Sequence, residues 1–281
     1  MPFFSPSDDP GPDFASLVRR AGLAPAPLTV DASDRLAIAH GTTVVAIRYA
    51  DGVVMAGDRR ATAGNLIAHR ATEKVFPADR HSGVAIAGAA GPAMEMVKLF
   101  QLQLEHYEKV EGTALSLEGK ANQLAQMVRG NLPAAMQGMA VVPLFAGYDV
   151  RRRAGRLFQY DVTGGRYEES NFAASGSGSL HAGTVVKMRF REAMARDDTV
   201  DLALTALFQA ADDDSATGGP DMVRGIFPVM ATITEDGYER VDDTEIADRF
   251  TGLLAELAGR EAGNRVPETS VETSGEAGEQ R

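Results

Sequence analysis

Three residues at the ends of successive strand-like segments carry groups that could act together in catalysis. Thr42 opens a β-branched run that continues to Ile47, Asp58 follows the next apolar segment, and Lys74 lies one segment further on. A hydroxyl with a carboxylate and an ammonium nearby suits nucleophilic catalysis. A threonine that opens a strand is by itself an ordinary β-former, and single aspartates and lysines are usually solvated. The hypothesis of a nucleophilic site therefore depends on the three residues together.

Several other chemistries are excluded by what the sequence lacks. There is no cysteine, so the chain forms no disulfide and offers no thiolate nucleophile. The run Gly176-Ser177-Gly178 is similar to a hydrolase elbow, but Ser175 stands where that motif requires its first glycine. No phosphate loop ending in Gly-Lys-Ser/Thr occurs, so ATP hydrolysis is not expected. The five histidines are scattered without metal-ligand spacing: His40, His69, His81, His106 and His181. We therefore expect no metal and no cofactor.

Charge and composition exclude further classes of protein. The 281 residues carry a net charge of -11, whereas nucleic-acid binding requires clustered cations. The one tight basic cluster, Arg151-Arg152-Arg153, lies between two strand-like runs, which predicts an exposed hairpin turn. No apolar run is long enough for a membrane helix, and the first residues lack the pattern of a secretory signal. We expect a cytoplasmic protein without nucleic-acid or membrane partners.

Alternating strand-like and helical segments predict the elements that must position these residues. Apolar stripes and proline positions predict four helices, over 92–110, 116–132, 179–195 and 199–210. Short apolar runs bounded by glycine and charged residues predict strands before, between and after the two helix pairs. This order predicts an α+β fold, a four-layer αββα sandwich of two antiparallel sheets flanked by helices.

Ordered motifs identify a family resemblance. From Gly41 to Gly91 the chain closely resembles proteasome β subunits, which are N-terminal nucleophile hydrolases, and the similarity continues to about Val241. The motifs that carry it are Gly41-Thr42-Thr43, Gly57-Asp58-Arg59-Arg60, Lys74, Ala87-Gly88-Ala89-Ala90-Gly91, Gly176-Ser177-Gly178 and Asp214-Ser215-Ala216-Thr217-Gly218-Gly219. The long leader and the late segment from Asp221 to Pro228 are most similar to the actinobacterial branch of the family.

The resemblance implies a catalytic mechanism centred on Thr42. Its hydroxyl would be the nucleophile and its own α-amine the base, once autocatalytic cleavage after Gly41 frees that amine. An α-amine has an ordinary pKa of about 7.7–8.0, close to working pH, and an amide nitrogen has no such basicity. Lys74 would stabilise charge on the hydroxyl oxygen, Asp58 would orient Lys74, and the backbone N–H of Gly88 would donate to the oxyanion.

Three later residues match the group that holds the amine in this family. These are Ser177, Asp214 and Thr217, the last of which replaces a serine found in many relatives. Asp214 ends a run of three acids, so Asp212 or Asp213 is an alternative match at that position.

A substrate pocket follows from the same resemblance. It would draw on Ala61, Thr62, Thr72, Ile86 and Ala90, with Thr62 and Ala90 binding the substrate backbone as an added strand. This predicted wall is mainly apolar and contains no acid, which favours cleavage after hydrophobic residues.

Domain organisation and function are then predicted as follows. Residues 1–41 would be a propeptide removed on maturation, 42–260 the catalytic N-terminal nucleophile hydrolase domain, and 261–281 a disordered acidic tail. The chain would be the catalytic β subunit of a proteasome core particle, a threonine endopeptidase that hydrolyses unfolded proteins. Its implied partners are proteasome α subunits and other β subunits in heptameric rings stacked α-β-β-α, a ring ATPase that unfolds substrates, and unfolded or tagged proteins.

Two alternatives remain at this point. One is a self-processed amidase of the same fold that acts on a small amide and needs no ring partners. The other is a non-catalytic structural ring subunit, which leaves the joint presence of Thr42, Asp58 and Lys74 unexplained. The two-ring bacterial threonine peptidase is a further relative, but its members place the threonine almost directly after the initiator methionine.

Overall fold

The structure is a computed structural model that describes residues 41–264 and, before them, Asp13, Ser16 and Val18. Side chains are described as far as Gly259. Except for Gly41 and those three positions, the predicted propeptide lies outside the described residues, as do residues 265–281 of the predicted tail.

Two five-stranded antiparallel sheets form the centre of the fold. The first has the strand order β10-β1-β2-β11-β12 and the second β5-β6-β7-β8-β9, while β3 and β4 form a separate hairpin. The strands are β1 Thr43–Tyr49, β2 Gly52–Gly57, β3 Ala61–Ala63, β4 Leu66–His69, β5 Val75–Asp79, β6 Ser82–Gly88, β7 Val141–Asp149, β8 Ala154–Tyr160, β9 Arg166–Glu169, β10 Phe172–Gly176, β11 Val229–Thr234 and β12 Gly237–Arg240.

Helices cover the outer face of each sheet. They are α1 Ala90–Glu111, α2 Leu117–Gly130, α3 Leu132–Ala135, α4 Ser179–Arg189, α5 Arg196–Asp213 and α6 Asp243–Asn264. One apolar cluster joins the first sheet to α4, α5 and α6, and a second joins the other sheet to α1 and α2. A third cluster, which includes Val44, Met55, Leu144 and Leu157, fills the space between the sheets. The predicted four-layer αββα sandwich is confirmed.

Helix α1 buries the apolar stripe that predicted it from the sequence. Its buried residues include Ala93, Val97, Phe100 and Leu104, which recur at the spacing of one helix face, and Gly112 ends it in the left-handed conformation with φ of 69°. Phe100 packs edge-on against Phe145 of the second sheet, with ring centroids 5.7 Å apart. The stripe therefore attaches this helix layer to its sheet.

Some local predictions needed correction. The final helix α6 was not predicted, although Ile246, Phe250, Leu253 and Leu257 recur at the spacing of one helix face. Since α6 ends at Asn264, the first four residues of the predicted tail are helical. The Arg151-Arg152-Arg153 segment is the exposed turn between β7 and β8, as predicted, and Arg153 has a φ of 52°. Within 41–264, no helix is both long and apolar enough to cross a bilayer.

Phe100→Ala should lower the free energy of unfolding by about 3–5 kcal/mol, because it leaves a cavity between α1 and the second sheet. Urea unfolding of the full-length chain measures this change. Met136→Ala is the matched control, since Met136 is 82% exposed and its truncation should leave stability nearly unchanged. Equal effects of the two substitutions would contradict this account of the core.

Candidate active site

Thr42 lies immediately before β1, at one end of the first sheet. Its carbonyl oxygen accepts a hydrogen bond of 2.8 Å from the backbone N–H of Ser177, next to the end of β10. Gly176 has a φ of 101°, and a side chain there would overlap the Thr42 carbonyl, so only glycine permits this close approach. The backbone of Thr42 is therefore fixed by the pairing of β1 with β10.

Asp58 and Lys74 reach Thr42 from the ends of two neighbouring strands. Because β2 runs antiparallel to β1, its last residue, Gly57, pairs with Val44 and brings Asp58 beside the start of β1. Lys74 stands just before β5. Its ammonium donates to Asp58 Oδ1 at 2.6 Å, and both side chains are buried, with exposures of 4% and 0%. Asp58 and Lys74, which the sequence analysis singled out, thus form a direct ion pair.

The ammonium of Lys74 has three acceptors within the part of the chain that the structure describes. Besides Asp58 it donates to the carbonyl oxygen of Arg60 at 2.6 Å and to that of Gly41 at 2.9 Å. Burial lowers the pKa of Lys74 below its usual value of 10.5, while the charge and hydrogen bond of Asp58 oppose that shift. The cation is therefore held in place beside the Gly41–Thr42 bond.

Asp58 is held by backbone donors as well as by Lys74. Its Oδ1 accepts from the N–H of Thr43, and its Oδ2 accepts from the N–H groups of Arg60 and Gly218, each at 2.8 Å. A buried carboxylate with this many donors has its desolvation largely offset. Its orientation toward Lys74 is correspondingly fixed.

The carbonyl of Gly41 receives two hydrogen bonds. Thr42 Oγ1 donates to it at 2.5 Å, and Lys74 provides the second donor. A methyl group on Gly41 would overlap Thr62 Oγ1 and come within 3.0 Å of Ala216. The peptide bond before Thr42 therefore sits in a space that accommodates glycine and little more.

A second hydroxyl network surrounds the nitrogen of Thr42. That nitrogen lies 3.5 Å from Ser177 Oγ, which donates to Asp214 Oδ2 at 2.6 Å. Thr217 Oγ1 also donates to Asp214 Oδ2 at 2.6 Å and lies 2.5 Å from Thr43 Oγ1. Burial would raise the pKa of Asp214, but the hydrogen bonds from Ser177, Thr217 and the Ala216 amide hold it below its usual value.

The three acids at the end of α5 have different surroundings. Asp214 alone contacts Ser177 and Thr217, whereas Asp212 and Asp213 are exposed. Asp213 instead lies 3.2 Å from the ring of His181. Of the three matches left open by the sequence, the geometry favours Asp214.

Gly88 occupies the end of β6, next to Thr42. Its φ is 111°, and a side chain would overlap the carbonyl oxygen of Ala140, so the position requires glycine. It lines two recesses, each of which also contains Gly41 and Thr42. Gly88 therefore borders both recesses beside Thr42.

The first of these recesses contains four of the five predicted substrate-binding residues, namely Ala61, Thr72, Ile86 and Ala90. Thr62 is not among its lining residues and instead lies against Gly41. The expectation of a wall without acids was wrong, because Glu73 also lines the recess. The carboxylate of Glu73 is paired with Arg240 at 2.7 Å.

Several contacts in the site were not found from the sequence. Thr43 was recognised only as part of a motif, yet its Oγ1 accepts from the Gly178 N–H at 2.9 Å and contacts Thr217. The Arg60 carbonyl and the Gly218 N–H are backbone groups, and residue type does not indicate how a backbone group is oriented. A threonine inside a strand gave no separate signal, since that residue is common there.

Taken together, these groups can support nucleophilic attack by a threonine hydroxyl. The hydroxyl shares the Gly41 carbonyl with a buried cation and lies next to a nitrogen that contacts a serine, and Gly88 lines the adjoining recesses.

Comparison with known proteins gives a consistent result. A family model described as "Proteasome subunit" matches residues 38–224. A protein of Acidimicrobium ferrooxidans named "Proteasome subunit beta" is 58% identical over 265 residues, which cover 94% of this chain and 96% of that protein. A protein of the same name from Streptomyces griseus subsp. griseus is 60% identical over 215 residues, 76% of each chain. This chain belongs to the proteasome subunit family.

Proposed function

We propose that this chain is the catalytic β subunit of a proteasome core particle, a threonine endopeptidase that hydrolyses unfolded proteins after autocatalytic cleavage between Gly41 and Thr42. One observation carries the proposal. Thr42 Oγ1 and Lys74 Nζ both donate to the carbonyl oxygen of Gly41, at 2.5 and 2.9 Å, while Asp58 holds Lys74. The nucleophile and the cation thus meet at the bond to be cut.

Self-cleavage would proceed as an acyl shift from nitrogen to oxygen. Thr42 Oγ1 attacks the carbonyl carbon of Gly41, and the hydroxyl proton passes to the Thr42 nitrogen as the C–N bond breaks. The resulting ester joins Gly41 to Thr42 Oγ1, and water then hydrolyses it to release the leader. Lys74 stabilises the negative charge that develops on the Gly41 oxygen.

Peptide hydrolysis would repeat this chemistry with the freed amine as the base. The amine takes the hydroxyl proton, Thr42 Oγ1 forms an ester with the substrate acyl group, and the leaving amine receives the proton. Ser177 holds the amine, with Asp214 and Thr217 behind it. The Gly88 N–H would donate to the substrate oxyanion.

Substrate selection would depend on the recess lined by Ala61, Thr72, Ile86 and Ala90. Glu73 is paired with Arg240, so its charge is partly compensated. The apolar part of the wall consists of Ala61, Ile86, Ala90, Ala93 and Met94. We therefore infer a preference for hydrophobic side chains before the cleaved bond. Thr62 would bind the substrate backbone, since it lies where the chain before Thr42 passes.

The proposed ring partners and the proposed division of the chain are based on the family to which the chain belongs. Two relatives at about 60% identity are named as proteasome β subunits. This supports partners in the form of α subunits and other β subunits in stacked heptameric rings, a ring ATPase, and unfolded or tagged substrates in the cytoplasm. Residues 1–41 would be the propeptide, 42–260 the catalytic domain and 261–281 the tail.

Thr42→Ala should abolish both leader removal and peptidase activity, with kcat/KM falling by at least about three orders of magnitude, because the nucleophile is lost. Thr42→Ser keeps a hydroxyl and should retain both. Intact-mass analysis and peptide hydrolysis after coexpression with α subunits provide the measurement. An active complex that still carries residues 1–41 would refute the mechanism, and an active monomer would instead favour a small-amide hydrolase.

Gly41→Ala should slow leader removal by about tenfold or more, since the added methyl displaces the carbonyl from Thr42. Once released, the mature chain has the same sequence as the wild type and should have the same kcat/KM. Gly91→Ala is the matched control, because a methyl group there would meet no described atom within 4 Å apart from its chain neighbours and the backbone of its own helix. Equal processing rates for the two variants would contradict the proposed fit around Gly41.

The peptidase rate should depend on pH through two groups. Activity should rise as the Thr42 amine loses its proton, at or below its ordinary pKa of about 7.7–8.0, because the nearby Lys74 cation disfavours a second positive charge. It should fall again at alkaline pH as Lys74 deprotonates. Since burial lowers the pKa of Lys74, that second limb should lie below pH 10.5. A kcat/KM profile of the mature complex tests this, and an alkaline limb above that value would be inconsistent with it.

A further inference from the structure

A third recess lies near Asp58 and is separate from the two recesses that Thr42 lines. It is a small, partly open recess of about 40 Å³, and three of its lining residues are arginines, namely Arg59, Arg60 and Arg70. The Gly218-Gly219 turn forms another part of its wall. In a chain with a net charge of -11, three arginines around one small recess mark a local excess of positive charge.

The cations in this recess are incompletely neutralised by nearby carboxylates. The Arg60 guanidinium donates to a neutral acceptor, the carbonyl oxygen of Ser215, at 2.9 Å. Arg70 is exposed and has no polar or charged protein partner among the residues that the structure describes. The one acid in the wall, Asp221, is paired with Arg224 at 2.7 Å.

Arg59 is only loosely paired. Its guanidinium lies 3.9 Å from Glu73 and 4.0 Å from Asp243, and both of these acids also contact Arg240. Its Nε is buried and has no acceptor within the described part of the chain. A buried donor without an acceptor is costly, so this nitrogen would gain from an added acceptor. Asp243 Oδ1 is likewise buried without a hydrogen-bond partner in the described part of the chain, so an added anion would compete with Asp243 for Arg59.

We propose that this recess binds a small oxyanion, held by the guanidinium groups of Arg59, Arg60 and Arg70. Planar guanidinium groups match the oxygens of phosphate and carboxylate, and both ligands would supply the acceptors that these arginines lack. The shared chemistry is that of an anionic oxygen acceptor, which a free phosphate or a carboxylate can provide.

The site would be coupled to catalysis through the backbone of two lining residues. The N–H groups of Arg60 and Gly218 both donate to Asp58 Oδ2, and the carbonyl of Arg60 accepts from Lys74. An oxyanion on the Arg60 side chain would therefore restrain the residues that orient Asp58 and Lys74. This effect on peptidase rate rests on the proposed function, whereas the binding itself does not.

Phosphate binding to the full-length Thr42→Ala chain is the direct test, measured by ³¹P line broadening at constant ionic strength to exclude general screening. We expect saturable binding that Arg70→Gln weakens by about tenfold. Arg151→Gln, which removes an exposed arginine from the β7–β8 turn, is the matched control and should leave binding unchanged.

The outcomes separate the possibilities. Absence of saturable binding, or equal weakening by Arg70→Gln and Arg151→Gln, would overturn the proposal. Competition by acetate assigns the site to carboxylates in general, while binding without such competition assigns it to free phosphate. Because the Thr42→Ala chain lacks the nucleophile, this result is independent of peptidase activity. In the processed wild-type complex, phosphate should change kcat/KM, and Arg70→Gln should remove that response.

Discussion

The buried contact between Lys74 and Asp58 is the interaction on which the rest of the site depends. Removing two charges from water is expensive unless hydrogen bonds replace the lost hydration. Here the ammonium has acceptors on Asp58, Arg60 and Gly41, and the carboxylate has donors on Lys74, Thr43, Arg60 and Gly218. Most of these partners are backbone groups. The pair is therefore stable only while the strands and loops that carry them keep their positions.

That requirement explains why the site lies where strand ends meet. The antiparallel register of β1 and β2 brings Asp58 beside the start of β1, and the β1–β10 pair brings Ser177 beside Thr42. Lys74 comes from the second sheet, just before β5. The apolar cluster between the two sheets holds the first sheet and the second sheet together. Because Thr42 and Asp58 adjoin one sheet and Lys74 adjoins the other, the packed core between the sheets holds the three residues in fixed relative positions.

Glycine at three positions allows the backbone to approach this closely. Gly176 passes against the Thr42 carbonyl, Gly88 against Ala140, and Gly41 against Thr62. The first two have positive φ, so they serve conformation as well as space. Gly41 differs because the proposed mechanism would remove it together with the residues before it. Under that proposal its lack of a side chain would serve only the cleavage step.

Residue types and local spacing were enough to predict the fold class, the strand and helix periodicities, and the motif residues Thr42, Asp58 and Lys74. Helix α6 was missed although its large apolar residues recur at helix spacing, and no acid was predicted in the recess that Glu73 lines. Only the tertiary structure selected Asp214 over Asp212 and Asp213, gave Thr43 its contacts, and placed the backbone of Arg60 and Gly218 on Asp58. Those contacts join residues far apart in the chain through backbone groups that every residue type shares, so their positions follow from sheet register and packing.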